Sequence, residues 1–404
     1  MNRKLFLINV SGQDKPGITS SLMEIVSKYN AEIMDMGQAV TYGLLSLSFL
    51  LKFKFDSSDN DNDNSKREEE CIKDLLFVAN NKDQQLTYKV VKQSTHVTPD
   101  QDQKFVLNCV TPNQIPSEFL SDAAKVLSEN KINILRIDNV TPQSFNCLEI
   151  VTTIPSEVDF IKVKHDLLNI STKHAIDIAF LKDNVFRRSK RLICFDMDST
   201  LIQTEVIDEM AESCGVGPEI KAITEEAMNG QIDFDQSLIK RVSKLKGLTI
   251  SEMDEIYKNL KLTQGCEDFI KTVKSLGYKV ALISGGFNFF AEKLKDRLGL
   301  DYAFANDLEI IDGKLTGKVQ GTIVNASQKS TLLKLIAQQE KITLDQTVAI
   351  GDGANDLPML DTAGLGIAYH AKDIVKEKAQ QHLSYGPMTS ILYFLGIPGT
   401  QIKK

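Results

Sequence analysis

The chain has 404 residues, 42% hydrophobic and 25% charged, with 47 basic and 54 acidic residues for a formal net charge of −7. That length predicts two to three domains with apolar material for more than one core, and the acidic balance argues against nucleic acid or an anionic membrane as partner. No run approaches the roughly 18 apolar residues of a membrane span, and MNRKLFLINVSGQDKPG turns too early for a signal peptide, so the expectation is a soluble, cytoplasmic protein.

The first block, residues 1–95, opens with LFLINV, which alternates like a strand, and GQDKPG follows as a turn. Ile18, Leu22, Ile25, Val26 and Tyr29 then recur at helical spacing. AEIMDMGQAVTYGLLSLSFLLKF predicts two strands joined by a turn. DSSDNDNDNSKREEE (56–70) holds no apolar residue and is expected as a solvated loop. A helix near 67–80 and a strand near 86–93 complete a βαββαβ order. The second block, 103–183, repeats that order without repeating the sequence, with its first helix opened by Pro116 and Ser117. Two tandem units of this order predict ferredoxin-like α+β domains. FRRSKR (186–191) is expected as the linker to the third block.

That block, 191–404, alternates short apolar runs (LICF, KVALIS, YAFAN, TVAIGDG, GLGIAY) with helical patterns, as a doubly wound parallel α/β sheet requires. Residues 205–262 interrupt the rhythm with charged helical sequence and predict a lid. The six cysteines form no C-x-x-C pair and the five histidines no ligand spacing, which excludes a disulfide framework, a zinc site and thiol chemistry.

The chemistry concentrates where apolar strands end, which is where open α/β sheets bind ligands. Asp196 and Asp198 follow LICF two residues apart, and two acids so close repel unless a cation or proton intervenes. Asp352 and Asp356 follow TVAI. Oxygen donors without His or Cys suit Mg²⁺. Ser284-Gly285-Gly286 ends KVALIS and offers a hydroxyl and backbone N–H groups to an anion. Lys329 opens the helical stretch QKSTLLKLIAQQ, where the helix dipole also favours negative charge. Together these read as a phosphate-and-magnesium site with a carboxylate available as nucleophile, and Asp198 is placed to protonate the leaving group and later deprotonate water.

Residues 191 to about 385 resemble the haloacid dehalogenase superfamily, and DMDSTLIQTEVIDEMA, FDQSLIKRVSKLKGL, ISGGF, YAFANDLEIIDGKLTG and VAIGDGANDLPML resemble its phosphoserine phosphatases. The resemblance implies Asp196 as nucleophile and Asp198 as acid/base. It implies Mg²⁺ on Asp196, the backbone carbonyl of Asp198, and Asp352. Ser284, Gly285 and Lys329 would hold the phosphoryl group, with Asn355 beside them. Glu205 would read the ammonium of phosphoserine, Arg241 its carboxylate, and Phe234 would be a lid contact. The implied activity is Mg²⁺-dependent hydrolysis of O-phospho-L-serine, the last step of serine biosynthesis. Two alternatives stand beside it: a phosphatase of another small phosphomonoester, and an amino-acid sensor with a non-catalytic scaffold.

The first two blocks resemble tandem ACT domains, which implies an amino-acid effector and a homodimer assembled through residues 1–183. GQDKPGI matches the ACT turn, with Asp14 and Gly17 as ligand-facing positions and serine as candidate effector. The second block reads TPNQIPSEF there and lacks both residues.

Overall fold

A computed structural model describes residues 4–53, 61–91, 103–141 and 145–399. The chain forms two units, Met1–Asp100 and Gln101–Lys404. The first contains β1 (Leu5–Gln13), α1 (Ile18–Lys28), β2 (Ala31–Thr41), β3 (Leu44–Phe53), α2 (Asp61–Asn81) and β4 (Gln84–Val91). Its antiparallel sheet has the order β2-β3-β1-β4. Period two along β3 buries Leu45, Leu47, Phe49, Leu51 and Phe53 against Ile18, Leu22 and Val26 of α1 and Cys71, Leu75 and Ala79 of α2.

One expectation fails here. The stretch 56–70 was expected as a loop, yet α2 begins at Asp61; residues 56–60 lie outside the described ones. Glu68 is 7% exposed and pairs with Lys4 at 3.4 Å, one turn before the buried Cys71 and Ile72. The missing apolar residues marked an exposed helix face rather than a lost helix, and acids in an opening turn suit the helix dipole.

The second unit begins with β5 (Gln103–Val110), α3 (Ser117–Glu129), β6 (Asn133–Asn139), β7 (Cys147–Ile154), α4 (Phe160–His174) and β8 (Asp177–Lys182), whose sheet runs β6-β7-β5-β8. Then come β9 (Leu192–Phe195) and the lid helices α5 (Val206–Cys214), α6 (Gly217–Met228), α7 (Phe234–Lys244) and α8 (Ile250–Asn259). After the lid the chain continues through α9 (Cys266–Ser275), β10 (Lys279–Phe287), α10 (Asn288–Leu298), β11 (Tyr302–Ile311), β12 (Lys314–Gln320), α11 (Ala326–Gln339) and β13 (Thr347–Gly351). It ends with α12 (Leu357–Thr362), β14 (Gly366–Tyr369), α13 (Asp373–Lys378), β15 (Gln381–Leu383) and α14 (Ile391–Phe394).

The seven-stranded sheet has the order β12-β11-β10-β9-β13-β14-β15, parallel except for β12. Its central strands are buried on both faces. Ile193 and Phe195 enter one core with Leu282 and Phe269, whereas Leu192 and Cys194 enter the other with Ile283 and Leu333. That two-sided burial is why these strands read as unbroken apolar runs. The lid leaves and rejoins the sheet through an antiparallel bridge between Ile202 and Leu262.

Segment 186–191, expected as a linker, is packed into the fold. Arg187 is 4% exposed and pairs with Glu149 at 2.5 Å, while buried Lys190 donates to the Asp345 carbonyl at 2.5 Å. Burial pushes the Lys190 ammonium down to about 8. The edge strand β8 lies beside the edge strand β15. Fully buried Asp177 accepts the N–H groups of Ser384 (2.5 Å), Tyr385 (3.1 Å) and Gly386 (2.7 Å). The Gln381 amide exchanges two hydrogen bonds with the Phe180 backbone, at 2.9 and 3.0 Å. Each sheet thus covers an edge of the other.

His382 sits in this seam, 7% exposed, its Nε2 3.3 Å from Ser171 Oγ. Burial, with Lys376 and Lys164 adding to it, pushes its pKa down to about 4. The unfolded chain takes up a proton near pH 6.5 that the fold refuses, so this share of stability is complete above that pH and lost as pH falls toward 4. The loss between pH 7 and pH 5 is expected to be about 2 kcal/mol. Urea unfolding at both pH values should show His382→Leu losing that much less than the parent; equal losses would remove His382 from the account.

Candidate active site

Three strand ends, those of β9, β10 and β13, and the lid converge on one cavity of about 190 Å³. Asp196 follows β9, is 5% exposed, and is tethered to β13 by its N–H bond to the Ile350 carbonyl at 2.9 Å. The chain then makes an irregular turn over Met197–Leu201 in which Ser199 takes φ 55, a left-handed conformation uncommon outside glycine. The turn aims Asp198 back at the cavity. Its Oδ1 accepts the N–H of Val206 at 2.9 Å, fixing the start of α5 to the carboxylate. Its Oδ2 lies so close to the end of β10 that a Cβ on residue 286 would stand 2.7 Å away, so a side chain there would have to displace the Asp198 carboxylate.

Ser284 ends the apolar part of β10, 1% exposed, and its Oγ accepts the Gly286 N–H at 2.9 Å. Asn325 caps α11, its Oδ1 accepting the Gln328 N–H at 3.2 Å. One turn on, Lys329 is completely buried with Nζ 2.8 Å from Asp196 Oδ1 and 2.7 Å from Asp356 Oδ1. After β13, Asp352 accepts from Thr200 Oγ1 at 3.0 Å, and Asp356 accepts the Gly353 N–H at 3.0 Å.

The lid supplies the opposite wall through Glu205, Phe234 and Arg241. Glu205 accepts from Ser199 Oγ at 2.9 Å. The Phe234 ring lies over Gly285, its Cζ 3.1 Å from where a Cβ would stand. Beside it, Asp235 accepts from Asn325 Nδ2 at 3.2 Å, clasping the lid to the cap of α11. Arg241 keeps a buried Nε without a hydrogen-bond partner.

The cavity therefore brings together Asp196, Asp198, Glu205, Arg241, Ser284, Gly285, Asp352 and Asn355. Lys329 differs: it stands behind Asp196 rather than on the cavity wall. Asp356 is the residue whose role spacing did not reveal. Four residues past Asp352, it reads as the second acid of a pair, but the fold turns it inward to hold Lys329. The three carboxylates of Asp196, Asp352 and Asp356 place oxygens within 4.8 Å of one another. Asp14 and Gly17 lie in the other unit, on the exposed turn before α1, with the Asp14 N–H bonded to the Gly43 carbonyl at 2.8 Å and Gly17 at φ 91.

The electrostatics follow from burial. Asp196 is pushed to about 7 by burial and then by repulsion from Asp356, against the pull of Lys329. Burial, then Asp356, takes Asp352 to about 6. Asp198 is held well above the carboxylate range by burial, Glu205 and Asp196. Glu205 keeps solvent contact at the cavity mouth, yet the protein packed around its carboxyl, with Asp208, raises it, against Ser199 and Arg241. Burial works against the charge on Lys329; Asp196 and Asp356 outweigh it and hold the ammonium charged. If all three carboxylates were ionised, this one ammonium would leave two negative charges uncompensated, and the donors are all hard oxygens. That set fits one divalent cation of the Mg²⁺ type.

Residues 190–364 match the haloacid dehalogenase-like hydrolase family and residues 4–89 the ACT domain family. The phosphoserine phosphatase of Streptomyces coelicolor is 34% identical over 399 residues, 98% of this chain and 93% of that one. Phosphoserine phosphatase SerB2 of Mycobacterium tuberculosis is 35% identical over 98% of this chain and 94% of its own. The chain belongs to the phosphoserine phosphatase family. It is a hydrolase, with the α/β catalytic fold and two ACT-like sheets expected of it. Other phosphoserine phosphatases are shorter: that of Methanocaldococcus jannaschii is 49% identical over 208 residues, 52% of this chain and 99% of that one. Among solved structures, a haloacid dehalogenase family hydrolase from Salmonella enterica aligns with a TM-score of 0.63 at 32% identity, over 72% of this chain and 98% of that one.

Proposed function

We propose that this phosphatase hydrolyses O-phospho-L-serine to serine and phosphate through an aspartyl-phosphate on Asp196, with Mg²⁺, as the last step of serine biosynthesis in the cytoplasm. The observation that carries the substrate is Arg241: it lines the same cavity as Asp196, Ser284 and Glu205, and its buried Nε has no hydrogen-bond partner. A buried donor without a partner is costly, and a substrate carboxylate would satisfy it bidentately, leaving Glu205 for the ammonium. The enzymatic relatives and the intact acid set weigh against a non-catalytic sensor, and Arg241 weighs against phosphomonoesters that lack a carboxylate.

In this reading the Asp196 carboxylate attacks phosphorus in line, while Ser284 and the backbone at Gly285 hold the phosphoryl oxygens beside Asn355. Lys329 keeps Asp196 oriented through their ion pair. Asp198, with Oδ1 held by the Val206 N–H, keeps Oδ2 free to give a proton to the leaving seryl oxygen and to take one from the water that opens the intermediate. Asp196, the carbonyl of Asp198, and Asp352 would hold Mg²⁺, with Asp356 behind them; bound there, the ion neutralises phosphate charge so that one anion can approach another. Phe234, closed over Gly285, excludes water during attack.

The test is phosphate release with Mg²⁺ across a panel of phosphomonoesters, in parent and Arg241→Ala. The variant should lose roughly 10²-fold or more in kcat/KM on phosphoserine, as truncated buried charge pairs do, and far less on phosphoethanolamine, which lacks the carboxylate. Equal losses would assign Arg241 to the fold alone.

The ACT-like units imply an amino-acid effector, and we propose serine at Asp14 and Gly17 in a homodimer formed through residues 1–183. In support, the turn presents a carboxylate at exposed Asp14, and the edge strand β2 leaves Ile33, Met34, Met36 and Val40 exposed. Serine titration should inhibit the full chain more strongly than Asp14→Ala, with light scattering in the same samples reporting twice the chain mass. Identical inhibition, or a monomer mass, would remove the corresponding part.

A further inference from the structure

We propose that Asn306 is a positioning residue that sets Ser284 as a hydrogen-bond donor and ties the glycine turn of β10 to the approach of α11. The inference rests on the phosphate-site reading above and goes beyond it.

Asn306 lies in β11 opposite Phe287, where β11 leaves its parallel pairing with β10 and turns to β12. It is completely buried, and both ends of its amide are used. Nδ2 donates to the carbonyl of Gly285 at 2.8 Å and to that of Gly286 at 3.2 Å. Oδ1 accepts the Val324 N–H at 2.8 Å. A trans peptide holds its C=O and N–H on opposite sides. Drawing the Gly285 carbonyl toward Asn306 therefore turns the Gly286 N–H the other way, where it meets Ser284 Oγ at 2.9 Å. A hydroxyl oxygen that accepts this N–H still has its own proton to give. Ser284 lines the cavity beside Asp196, so that proton is directed at a phosphoryl oxygen.

The other end of the amide acts on the second element. Val324 precedes Asn325, the cap of the helix that carries Lys329. One buried side chain thus fixes two segments that approach the phosphoryl group from different directions. Only an amide serves: a carboxylate lacks the donors, a hydroxyl is too short to span both carbonyls and the Val324 N–H, and an apolar isostere abandons all three.

A merely structural Asn306 and a positioning one both cost stability when replaced; their kinetics differ. The full chain is assayed as Asn306→Ala and as Asn306→Ser, which leaves space for a bridging water, each alone and with Ser284→Ala. The expected fall in kcat on phosphoserine is roughly 10- to 100-fold, somewhat below the loss of a direct oxyanion donor. Read in an Asp14→Ala background, so that L-serine reports product binding alone, inhibition by inorganic phosphate should weaken about tenfold with inhibition by L-serine nearly unchanged, because only the phosphate cradle has moved. With Ser284 already replaced, the Asn306 substitutions should cost less than about threefold, the non-additivity of residues acting as one unit. Full additivity, parallel weakening of phosphate and serine, or a folded Asn306→Ser with parental kcat would each overturn the assignment. The parent's own turnover separates the two levels: an active parent with an unaffected variant overturns Asn306 alone, and an inactive parent overturns the phosphatase reading with it.

Discussion

Asp196→Asn is expected to slow phosphate release by roughly 10⁴-fold or more, the scale on which loss of a nucleophile is felt, while the metal-free protein melts no lower than the parent. An amide oxygen is a poor nucleophile and a weak ligand for a hard cation, so the substitution removes both proposed roles of this carboxylate. Stability moves the other way because the native carboxylate is costly. It is 5% exposed and pushed to about 7 by burial and Asp356. Lys329 retains its 2.7 Å pair with Asp356 after the change, so no buried charge is left alone. Stability given up for function is expected where like charges are held together to receive a cation. Phosphate release and thermal melting measured on one preparation decide it. Turnover near the parental rate in a folded variant would overturn Asp196 as nucleophile, and a large fall in melting temperature would show that the acid cluster stabilises the fold instead.

Asp177→Ala is expected to cost about 3 kcal/mol or more, from three backbone N–H groups left without an acceptor in a buried seam. The carboxylate is completely buried, and burial raises its pKa against the hydrogen bonds that Ser384, Gly386 and Tyr385 donate to it. Part of the gain from those bonds is therefore already offset by desolvation, which keeps the estimate near the lower end of three separate penalties. Asp177→Asn, keeping one acceptor, should recover about half. The segment it holds continues to Met388, whose N–H bonds the Gln264 carbonyl at 3.0 Å just past the lid. Calorimetric melting of the full chain reads the effect; a loss below about 1 kcal/mol would mean that the seam closes without this residue. The same contacts imply that a chain cut near Lys190 would lose the strand covering β15 together with Arg187 and its partner Glu149, so regulation is better dissected by substitution at Asp14 than by truncation.

The sequence by itself determined the order of elements and the chemistry at strand ends. Apolar runs such as LICF and KVALIS announce strands buried on both faces because no alternation interrupts them. Ser284-Gly285 and the acid pairs stand out because charge and glycine directly after such a run have few other uses. What it could not determine is where a residue faces once the chain has turned. Asp61–Glu70 reads as a loop because every side chain is polar, yet a helix anchored by Cys71 and Leu75 extends through it, since polarity reports exposure and not backbone geometry. Lys329 reads as an anion-binding lysine at a helix start and Asp356 as the second acid of a pair, 27 residues apart; only the packing of α11 against the end of β13 makes them a buried pair behind Asp196. Arg187 and Lys190 look like a solvated linker, and Asp177 like the polar start of a strand, until the edge of one sheet is laid along the edge of another. Local pattern fixes what depends on neighbours in the chain; burial and partnership depend on residues far along it, and those only the tertiary structure supplies.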